Sequence, residues 1–445
     1  MKLLALELNL IYNMDCREGL KLLEDNSIDS IVTDPPYELG FMGKSWDKTG
    51  IAYNVELWHE CLRVLKPGGH LLAFGGTRTY HRMACAIEDA GFEIRDQIQW
   101  IYGSGFPKSM DISKAIDKKY GAEREVIGSY ITRDLSRKNG KHKGDMLVGC
   151  YDGSTEYEIT VPASAEAKQW QGWGTALKPA NEPICVARKP LSEKTVAGNV
   201  LKWGTGGINI DECRIEYEES GDAASNPLYR KNNNYKINYG IDSNPSAYAL
   251  KKEKGTMNIN PQGRFPANVI LDEEAAKMLD EQSGILKSGS NNIRRKEGSF
   301  VEHGGLGKAG DIQVSYGDIG GASRFFYCAK ASKSERNIGL EDMPLRNNMR
   351  VNAPRRSEEE KISTMHKNFH PTVKPIKLIE YLIKLVTPPN GVCLDPFEGS
   401  GTHALACINL GFNFIGFELN KDYYNIAIAR INHAKQHTRQ ISLIE

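Results

Sequence analysis

The chain has 445 residues, of which 40% are hydrophobic and 25% are charged. This is the composition of a globular protein, which excludes a wholly disordered chain, and the length allows two domains or one large domain with insertions. The formal net charge of +1 excludes a strong overall attraction to nucleic acid, so any such attraction must come from local basic clusters.

The cysteines and the N-terminus bear on the compartment of the protein. The nine cysteines are scattered without a C-x-x-C pair, which predicts reduced thiols rather than a disulfide framework or a metal site. The apolar N-terminus resembles a secretion signal, but Glu7 and Asn9 interrupt it and no small-residue cleavage site follows. No apolar stretch reaches the roughly 20 residues that span a bilayer. We therefore expect a cytoplasmic protein with no membrane partner.

The first hundred residues alternate short apolar segments with helical patterns, which is typical of a parallel α/β sheet. The predicted elements are strands at 10–15, 27–33, 70–74 and 92–101 and helices at 17–24, 54–65 and 78–90. The helix at 54–65 is expected to stop at Lys66-Pro67-Gly68-Gly69, which combines a helix breaker with residues suited to a C-cap.

The middle of the chain is less regular. After Tyr102 only two elements are predicted, a short helix capped by Asp111 and a strand at 182–187 that returns to the sheet. Periodicity is weak from about 191 to 365, where Gly-, Asn- and Ser-rich segments predict long loops or a β-rich insertion.

Regular patterns return at about residue 370. Pro375 is predicted to be the first residue of an apolar helix at 376–386, which a Pro-Pro-Asn-Gly sequence ends. A final βαβα unit follows, with a strand at 391–395, a helix at 402–410, a strand at 412–417 and a helix at 421–436.

That last unit contains the sequence VCLDPFEGSGTHALAC, in which a glycine-containing turn links a strand to a helix. Gly399 and Gly401 let a ligand approach the main chain, and the helix N-terminus directs amide groups towards a nucleoside. Glu418 follows Asp395 by 23 positions and ends the next strand, where a ribose diol requires an acidic partner. The third glycine of the dinucleotide fingerprint is missing, and alone the motif also fits a tight strand–helix turn.

A second motif, Asp34-Pro35-Pro36-Tyr37, follows the strand at 27–33. The prolines fix φ and remove amide donors, so the Pro35 carbonyl is free to accept a hydrogen bond and Asp34 offers a second acceptor. A planar amino group has two hydrogens and requires two such acceptors, while Tyr37 provides a flat surface on which a base can stack. The alternative is a rigid turn with a solvent-exposed tyrosine.

The two motifs, separated by a variable middle, resemble the beta class of DNA amino-methyltransferases. IYNMDCREGL, LKPGGHLLAFGG, HPTVKPIKLIEYLIKLV and GFELNKDYYNIAIARI resemble further segments of that family, and GRFPANVILD and ASRFFYCAKASKSER resemble its phage- and prophage-type members. The resemblance implies a Rossmann-like α/β sheet with circularly permuted motif order and a large inserted target-recognition region. In this arrangement 1–190 and 366–445 form the methyltransferase domain, with a loop insertion at about 103–178, and 191–365 form the target-recognition region.

The resemblance also implies S-adenosyl-L-methionine as the cofactor and Asp34, Pro35, Pro36 and Tyr37 as the catalytic residues. The implied cofactor-binding residues are Asp15 and Cys16 at the adenine, Thr372, Lys374 and Pro375 at the methionine end, Asp395, Pro396, Phe397, Gly399, Ser400, Gly401 and Thr402 in the turn, and Glu418 and Asn420 at the ribose. If the strands at 27–33 and 391–395 are neighbours, both motifs share one crevice at the carboxyl ends of the strands.

The expected reaction is methylation of an exocyclic amino group in duplex DNA after base flipping. Asp34 favours the N6 of adenine, since the family tends to carry Ser there when the N4 of cytosine is the target. Expected partners are double-stranded DNA, a second copy of the chain and a cognate restriction enzyme. The alternatives are an RNA or protein amide methyltransferase and a catalytically silent DNA-binding protein; a dinucleotide-dependent oxidoreductase is disfavoured by the missing glycine.

Basic residues in the variable middle are the candidates for contacts to DNA phosphates. They are Arg133, Arg137, Lys138, Lys141, Lys143, Arg294, Arg295, Lys296, Arg346, Arg350, Arg355 and Arg356. Each cluster is equally well explained as a solvated loop.

Overall fold

A computed structural model describes residues 2–3, 6–39, 45–105, 109–133, 154–216, 263–287, 292–293, 312–313, 319–329, 335–344, 346–347 and 365–441. The chain divides into two compact units, one made of Met1–Gly103 with Asn181–Glu445 and the other of Ser104–Ala180.

The α-helices are α1 (Cys16–Lys21), α2 (Val55–Val64), α3 (Tyr80–Asp89), α4 (Ile112–Tyr120), α5 (Ala165–Gln169), α6 (Val196–Trp203), α7 (Glu273–Ser283), α8 (Ile376–Val386), α9 (Thr402–Leu410) and α10 (Lys421–Ile441). The longer strands are β3 (Leu10–Tyr12), β4 (Ile28–Thr33), β5 (Leu65–Phe74), β6 (Glu93–Ile101), β7 (Val126–Arg133), β8 (Ser154–Thr160), β9 (Asn181–Arg188), β10 (Val269–Asp272), β15 (Tyr327–Ala329), β18 (Val392–Asp395) and β19 (Asn413–Phe417). Two-residue strands are β1 (Lys2–Leu3), β2 (Leu6–Glu7), β11 (Leu286–Lys287), β12 (Asn292–Ile293), β13 (Ile312–Gln313), β14 (Ile319–Gly320), β16 (Arg346–Asn347) and β17 (Met365–His366).

A nine-stranded sheet organises the larger unit, in the order β15-β10-β6-β9-β5-β4-β18-β19-β3. Every pair in it is parallel except those of β9, which runs antiparallel to both β5 and β6. The predicted Rossmann-like α/β class is thus confirmed, and the strand predicted at 182–187 does return to the sheet. A parallel sheet was expected for the first hundred residues, and β3, β4, β5 and β6 of the main sheet do run in one direction. The later strand β9 runs against them and makes the sheet mixed.

The order of the strands reverses between β4 and β18. From β4 the chain crosses through α2 to β5 on one side, and from β18 it crosses through α9 to β19 on the other. The two strands pair directly, with Cys393 opposite Ser30 and Leu394 opposite Ile31. Such a reversal leaves a crevice at the carboxyl ends of the strands, which is where α/β sheets bind ligands.

Helices cover both faces of the sheet, and each face has its own apolar core. Val32 packs in one core with most of α8, while Ile31 packs in the other with Trp58 of α2. Because β4 lies between these two layers, all six of its residues are buried. Its three polar side chains are buried with partners, since Asp29 pairs with Lys66, Ser30 is hydrogen-bonded to Thr387 and Thr33 donates to Asp395.

Two predictions at helix ends are wrong, although the helix predicted at 376–386 has these bounds in the structure. The helix α2 ends at Val64 and the strand β5 begins at Leu65, so the Lys66-Pro67-Gly68-Gly69 sequence lies inside a strand rather than in a C-cap. Gly68 has a φ of +80°, and the pairing of β5 with β4 shifts register in this region. The glycine therefore allows a local irregularity of the β5 backbone. Pro375 has an extended ψ of 133° and precedes α8 instead of being its first residue.

The segment from 191 to 365 contributes more regular structure than its sequence indicates. Strands β10 and β15 extend the main sheet beyond β6, and α7 follows β10 directly. Strands of three or four residues are too short to show a period, which is why they were missed. Among the described helices none is both long and apolar enough to cross a membrane.

The smaller unit contains the hairpin of β7 and β8 together with α4 and α5. Asp111 caps α4 as predicted, because its side chain accepts a hydrogen bond from the Lys114 amide at 3.0 Å. Asp117 connects the elements of this unit, since it pairs with Arg124 at 2.6 Å and accepts hydrogen bonds from Ser164.

Candidate active site at the carboxyl ends of the central strands

The two motifs singled out in the sequence lie side by side. The Thr33 hydroxyl donates a hydrogen bond of 2.6 Å to Asp395 Oδ1, which also accepts from the Phe397 amide at 2.9 Å. Burial and the nearby Glu398 carboxylate raise the pKa of Asp395 to about 8. The ends of β4 and β18 are therefore held together, and the loops that follow them start from one place.

A charge cluster lies at the start of the first loop and consists of Asp34, Tyr37, Glu182 and Lys374. The Lys374 ammonium lies 2.6 Å from Asp34 Oδ2 and 3.3 Å from Glu182 Oε2. The Tyr37 hydroxyl donates to the same Glu182 oxygen at 2.7 Å and accepts from Lys374 at 3.2 Å. Three separate parts of the chain thus meet at this point, and Glu182 was not singled out in the sequence.

Asp34 uses one of its two carboxylate oxygens in this cluster. Its Oδ1 atom is buried and has no hydrogen-bond partner within the described ranges. Burial raises the pKa of Asp34. The Lys374 ammonium lowers this pKa, and the negative charge of Glu182 raises it further. A buried acceptor without a partner is costly, so Oδ1 is suited to a donor that a ligand supplies.

Lys374 was implied to lie at the methionine end of the cofactor, and the structure places its ammonium on Asp34. The side chain is only 8% exposed, and the ammonium lies 4.9 Å from the ring centre of Phe74 and 5.3 Å from that of Tyr37. Burial alone would lower the pKa of Lys374, but the Asp34 and Glu182 carboxylates outweigh it and raise this pKa. Lys374 is therefore a fixed cation of the site.

The rest of the Asp-Pro-Pro-Tyr loop is anchored through its backbone. The Thr79 hydroxyl donates to the Tyr37 carbonyl at 2.7 Å. Pro35 is buried, and Pro36 and Tyr37 are half-buried. One side of the loop is thus packed against the rest of the protein.

The glycine turn is closely packed. Gly399 and Gly401 have φ values of +59° and +84°, in the left-handed region that favours glycine. A Cβ on Gly401 would lie 2.9 Å from the Cβ of Ala427 on α10. Arg430, on the same helix and fully buried, donates to the Ser400 carbonyl at 2.6 Å and approaches the Thr402 hydroxyl at 3.4 Å.

Beneath the turn, Glu398 is hydrogen-bonded to α9. Its carboxylate accepts from the Ala404 amide at 2.9 Å and lies 3.0 Å from His403 Nδ1, while Cys407 Sγ lies 3.6 Å from the other ring nitrogen. Cys393, His403 and Cys407 bring one potential metal-ligand atom each within 4.8 Å of one another. An ion there would have three ligands among the described residues, one fewer than a structural zinc site uses, so we interpret these buried side chains as a hydrogen-bonded support for the turn.

Glu418, implied to bind the ribose, faces the glycine turn. It accepts from the Gly399 amide at 2.8 Å and from the Asn420 amide at 2.7 Å. Burial raises the pKa of Glu418 to about 7, against the effect of these two amides. Asn420 itself accepts hydrogen bonds from the Asp422 and Tyr423 amides at the start of α10.

At the other implied cofactor contact, Asp15 caps α1 and forms an ion pair of 2.6 Å with Arg17. Hydrogen bonding to Arg17 lowers the pKa of Asp15. Cys16 is buried, and burial together with the Asp15 charge raises the pKa of its thiol to about 12. The thiol is therefore neutral and unreactive at neutral pH.

The segment before α8 lies over the glycine turn. A Cβ on Gly399 would be 3.0 Å from His370 Nε2, and the His370 ring meets the edge of Tyr423 with 4.5 Å between ring centres. The half-buried Thr372 donates its amide to His370 Nδ1 at 3.4 Å. Burial and the Lys374 ammonium lower the pKa of His370 to about 3, so its imidazole is neutral. His370 belongs to a segment that the sequence indicated, but it was not itself predicted.

Two of the basic residues expected to contact DNA lie within the described residues. Arg133 ends β7 and Arg346 begins the short strand β16. The others lie outside the described residues, namely Arg137, Lys138, Lys141, Lys143, Arg294, Arg295, Lys296, Arg350, Arg355 and Arg356. Phosphate contacts by these residues stay a prediction.

Comparison with models of protein families gives a match over most of the chain. The model of the N6/N4 methyltransferase family, described as DNA methylase, matches residues 28–429. This range includes both motifs and the variable region between them.

Matches to individual proteins are local. The type II methyltransferase M.HindIII of Haemophilus influenzae is 44% identical over 75 residues, which are 17% of this chain and 24% of that protein. M.HpaI of Haemophilus parainfluenzae is 38% identical over 106 residues, which are 22% of this chain and 34% of that protein. The chain therefore matches about a quarter to a third of the length of these relatives.

Solved structures resemble the chain over more of its length but at low identity. M1.HpyAVI is 15% identical, with a TM-score of 0.38, and the match covers 95% of this chain and 98% of that one. The cytosine-N4-specific PvuII DNA methyltransferase is 13% identical, with a TM-score of 0.40 and coverage of 96% and 89%.

Proposed function

The chain belongs to the N6/N4 methyltransferase family of DNA methylases, and from this premise we propose that it methylates the N6 amino group of adenine in duplex DNA. The proposed methyl donor is S-adenosyl-L-methionine, which supplies an electrophilic methyl group on a sulfonium. The base is proposed to be flipped out of the helix, because its amino group cannot otherwise reach a protein crevice.

The observation that carries the proposal is the buried, unpartnered Oδ1 atom of Asp34 beside the glycine turn. In the proposed site Oδ1 accepts one hydrogen of the target amino group, and the Pro35 carbonyl accepts the other. This draws the nitrogen lone pair out of conjugation with the base and towards the methyl group. The nitrogen–methyl bond forms as the sulfur–methyl bond breaks, and the amino proton then passes to Asp34 and from there to solvent.

The residues around the glycine turn fit an adenosyl cofactor. Gly399 and Gly401 let the turn pack closely against His370 and Ala427, where a Cβ would collide. The Glu418 carboxylate, which faces the turn from the end of the neighbouring strand, is the proposed partner of the ribose diol. The neutral His370 ring covers Gly399 without bringing positive charge to a region where a sulfonium is proposed to bind. The implied cofactor contacts of Asp15, Cys16, Thr372, Pro375, Pro396, Phe397 and Asn420 belong to the same proposal.

Adenine is proposed over cytosine because Asp34 occupies the first position of the tetrapeptide. The amino groups of both bases present the same two hydrogens, so the N4 of cytosine is the second candidate. Double-stranded DNA is the proposed partner, and a second copy of the chain and a restriction enzyme stay predictions.

Sequencing of genomic DNA from a host that expresses the chain, with detection of modified bases, tests the proposal. We expect N6-methyladenine in one sequence context, absent from a host that expresses Asp34→Ala. N4-methylcytosine would correct the base, and tritium transfer from labelled cofactor to RNA but not to duplex DNA would correct the substrate. The Asp34→Ala protein should still bind S-adenosylmethionine, which calorimetry would measure.

A further inference from the structure

Glu182 takes no part in the chemistry proposed above, yet its carboxylate lies inside the charge cluster. We infer that Glu182 is a positioning residue of the methyl-transfer site, which holds the Lys374 ammonium and the Tyr37 hydroxyl so that one oxygen of Asp34 stays open to the target amino group. This inference rests on the proposed function and adds a residue to it.

The distances show how the Lys374 ammonium is shared. It lies 2.6 Å from Asp34 Oδ2 and 3.3 Å from Glu182 Oε2, on a side chain that is almost fully buried. An ammonium has three donors and no fixed plane, so with Asp34 as its only carboxylate partner it could engage both oxygens of Asp34. Glu182 takes up part of this donor capacity and thereby keeps Oδ1 available.

Glu182 also sets the position of Tyr37. Its Oε2 atom accepts from the Tyr37 hydroxyl at 2.7 Å, while Thr79 holds the carbonyl of the same residue at 2.7 Å. The tyrosine is thus fixed at its backbone and at the far end of its ring. A ring held at both ends is a prearranged surface for stacking of an extruded base.

The fold accounts for the position of Glu182. Parallel strands bring their last residues to the carboxyl edge of a sheet, but β9 is antiparallel and brings its first residues there. Glu182 is the second residue of β9 and pairs with Trp100 of β6 in the middle of the sheet. Its carboxylate is therefore carried by a rigid element and not by a loop.

The two neighbours of Asp34 have opposite effects on its charge, which gives the inference a directional test. Lys374 lowers the pKa of Asp34 and Glu182 raises it; the Tyr37 hydroxyl is the third group that faces it. Tyr102 faces Glu182 and Lys374, and the neutral His370 ring lies near Lys374. Because the ionised form of Asp34 is the active one, Glu182→Gln should move the acid limb of the rate profile to lower pH, and Lys374→Met should move it to higher pH.

The experiment measures single-turnover methyl transfer between pH 5 and pH 9, with tritiated S-adenosylmethionine and unmethylated genomic DNA. For Glu182→Gln we expect a rate at neutral pH about 10- to 100-fold lower, as for a misplaced reacting group, with unchanged affinity for S-adenosylmethionine. Glu182→Asp should recover part of the rate, since it restores the charge. The matched control is Glu93→Gln, which removes a carboxylate from the ion pair with Arg188 at the far end of β9.

The outcomes separate the inference from the function on which it rests. A wild-type chain that transfers no methyl group to duplex DNA would overturn the proposed function and the inference with it. Wild-type activity that Glu182→Gln retains in full, with the acid limb in place, would overturn the inference alone. A lower rate of Glu182→Gln with its acid limb at the wild-type pH would also overturn the inference. So would acid limbs that move in the same direction in Glu182→Gln and Lys374→Met, because a purely structural contact has that effect.

Discussion

The Lys374 ammonium lies 2.6 Å from the Asp34 carboxylate, although 340 positions separate these residues in the chain. The pair connects the loop after β4 with the segment before α8, which otherwise lies over the glycine turn. It also balances the charge of a carboxylate that burial would tend to protonate. The contact therefore links the ionisation of Asp34, the proposed catalytic acceptor, to the position of the segment before α8, which covers the proposed cofactor site.

Replacement of Asp34 by asparagine should abolish most of the turnover and leave cofactor binding unchanged. The amide keeps the shape of the side chain but removes the negative charge that stabilises a methylated, cationic amine. Loss of one such group typically lowers the rate about 100- to 1000-fold. Single-turnover assays and calorimetric titration with S-adenosylmethionine check this, with Asp89→Asn on the exposed surface of α3 as the control. Full activity of Asp34→Asn would remove Asp34 from the mechanism.

Cofactor affinity should depend on pH through Glu418. In the proposed site a ribose hydroxyl donates to the ionised Glu418 carboxylate, and burial raises the pKa of Glu418 to about 7. Affinity is therefore full above pH 7 and should fall as pH decreases below it, by up to about tenfold per pH unit. Calorimetry at several pH values measures this. Glu418→Gln should bind more weakly at pH 8 and lose the pH dependence, whereas the exposed Glu24→Gln should keep it.

Alanine at Gly401 should be more destabilising than alanine at Gly411. Both residues have positive φ, +84° and +74°, and each substitution costs about 1–2 kcal/mol of backbone strain. At Gly401 the new Cβ would also lie 2.9 Å from the Ala427 Cβ, whereas at Gly411 nothing lies within 4 Å. Urea denaturation should show the larger loss of unfolding free energy for Gly401→Ala, together with weaker cofactor binding. Equal losses would mean that the contact with Ala427 relaxes freely.

Arg430→Met should destabilise the glycine turn. Arg430 is fully buried, and its guanidinium donates to the Ser400 carbonyl and hydroxyl and to the Glu335 carbonyl. Removal leaves those acceptors without a donor, at a cost of about 3 kcal/mol. The free energy of unfolding from urea titration checks this, with the exposed Arg82→Met as the control. A loss no larger than that of Arg82→Met would show that the turn holds its shape without Arg430.

The elements at both ends of the chain could be predicted from the sequence because their signals are local. The apolar segments around Ile31 and Leu394 are short and bounded by turn residues, and the carboxyl ends of adjacent parallel strands meet at one edge. The sequence left the adjacency of these two strands as a condition, and the structure fulfils it, since Thr33 donates a hydrogen bond to Asp395. The role of Pro375 could not be predicted to one residue, since a proline fits both the first helical position and the residue before it.

Glu182 and Arg430 could not be predicted in this way. Nothing near Glu182 in the sequence shows that β9 runs antiparallel between two strands that precede it, and only that placement brings the carboxylate to Lys374. Arg430 lies on a helix with many charged residues, and its burial depends on the turn that packs against it. Contacts of this kind follow from the topology, while the weak periodicity around β10 and β15 also concealed part of that topology.

The pairing of β4 with β18 has a consequence during translation. A nascent chain carries β4, with six buried residues, out of the ribosome long before residue 392 is synthesised, so one side of that strand stays open during elongation. Contacts this distant along the sequence form late and slowly. A ribosome that stalls ahead of β18 would release a polypeptide with an unpaired strand edge, which favours aggregation.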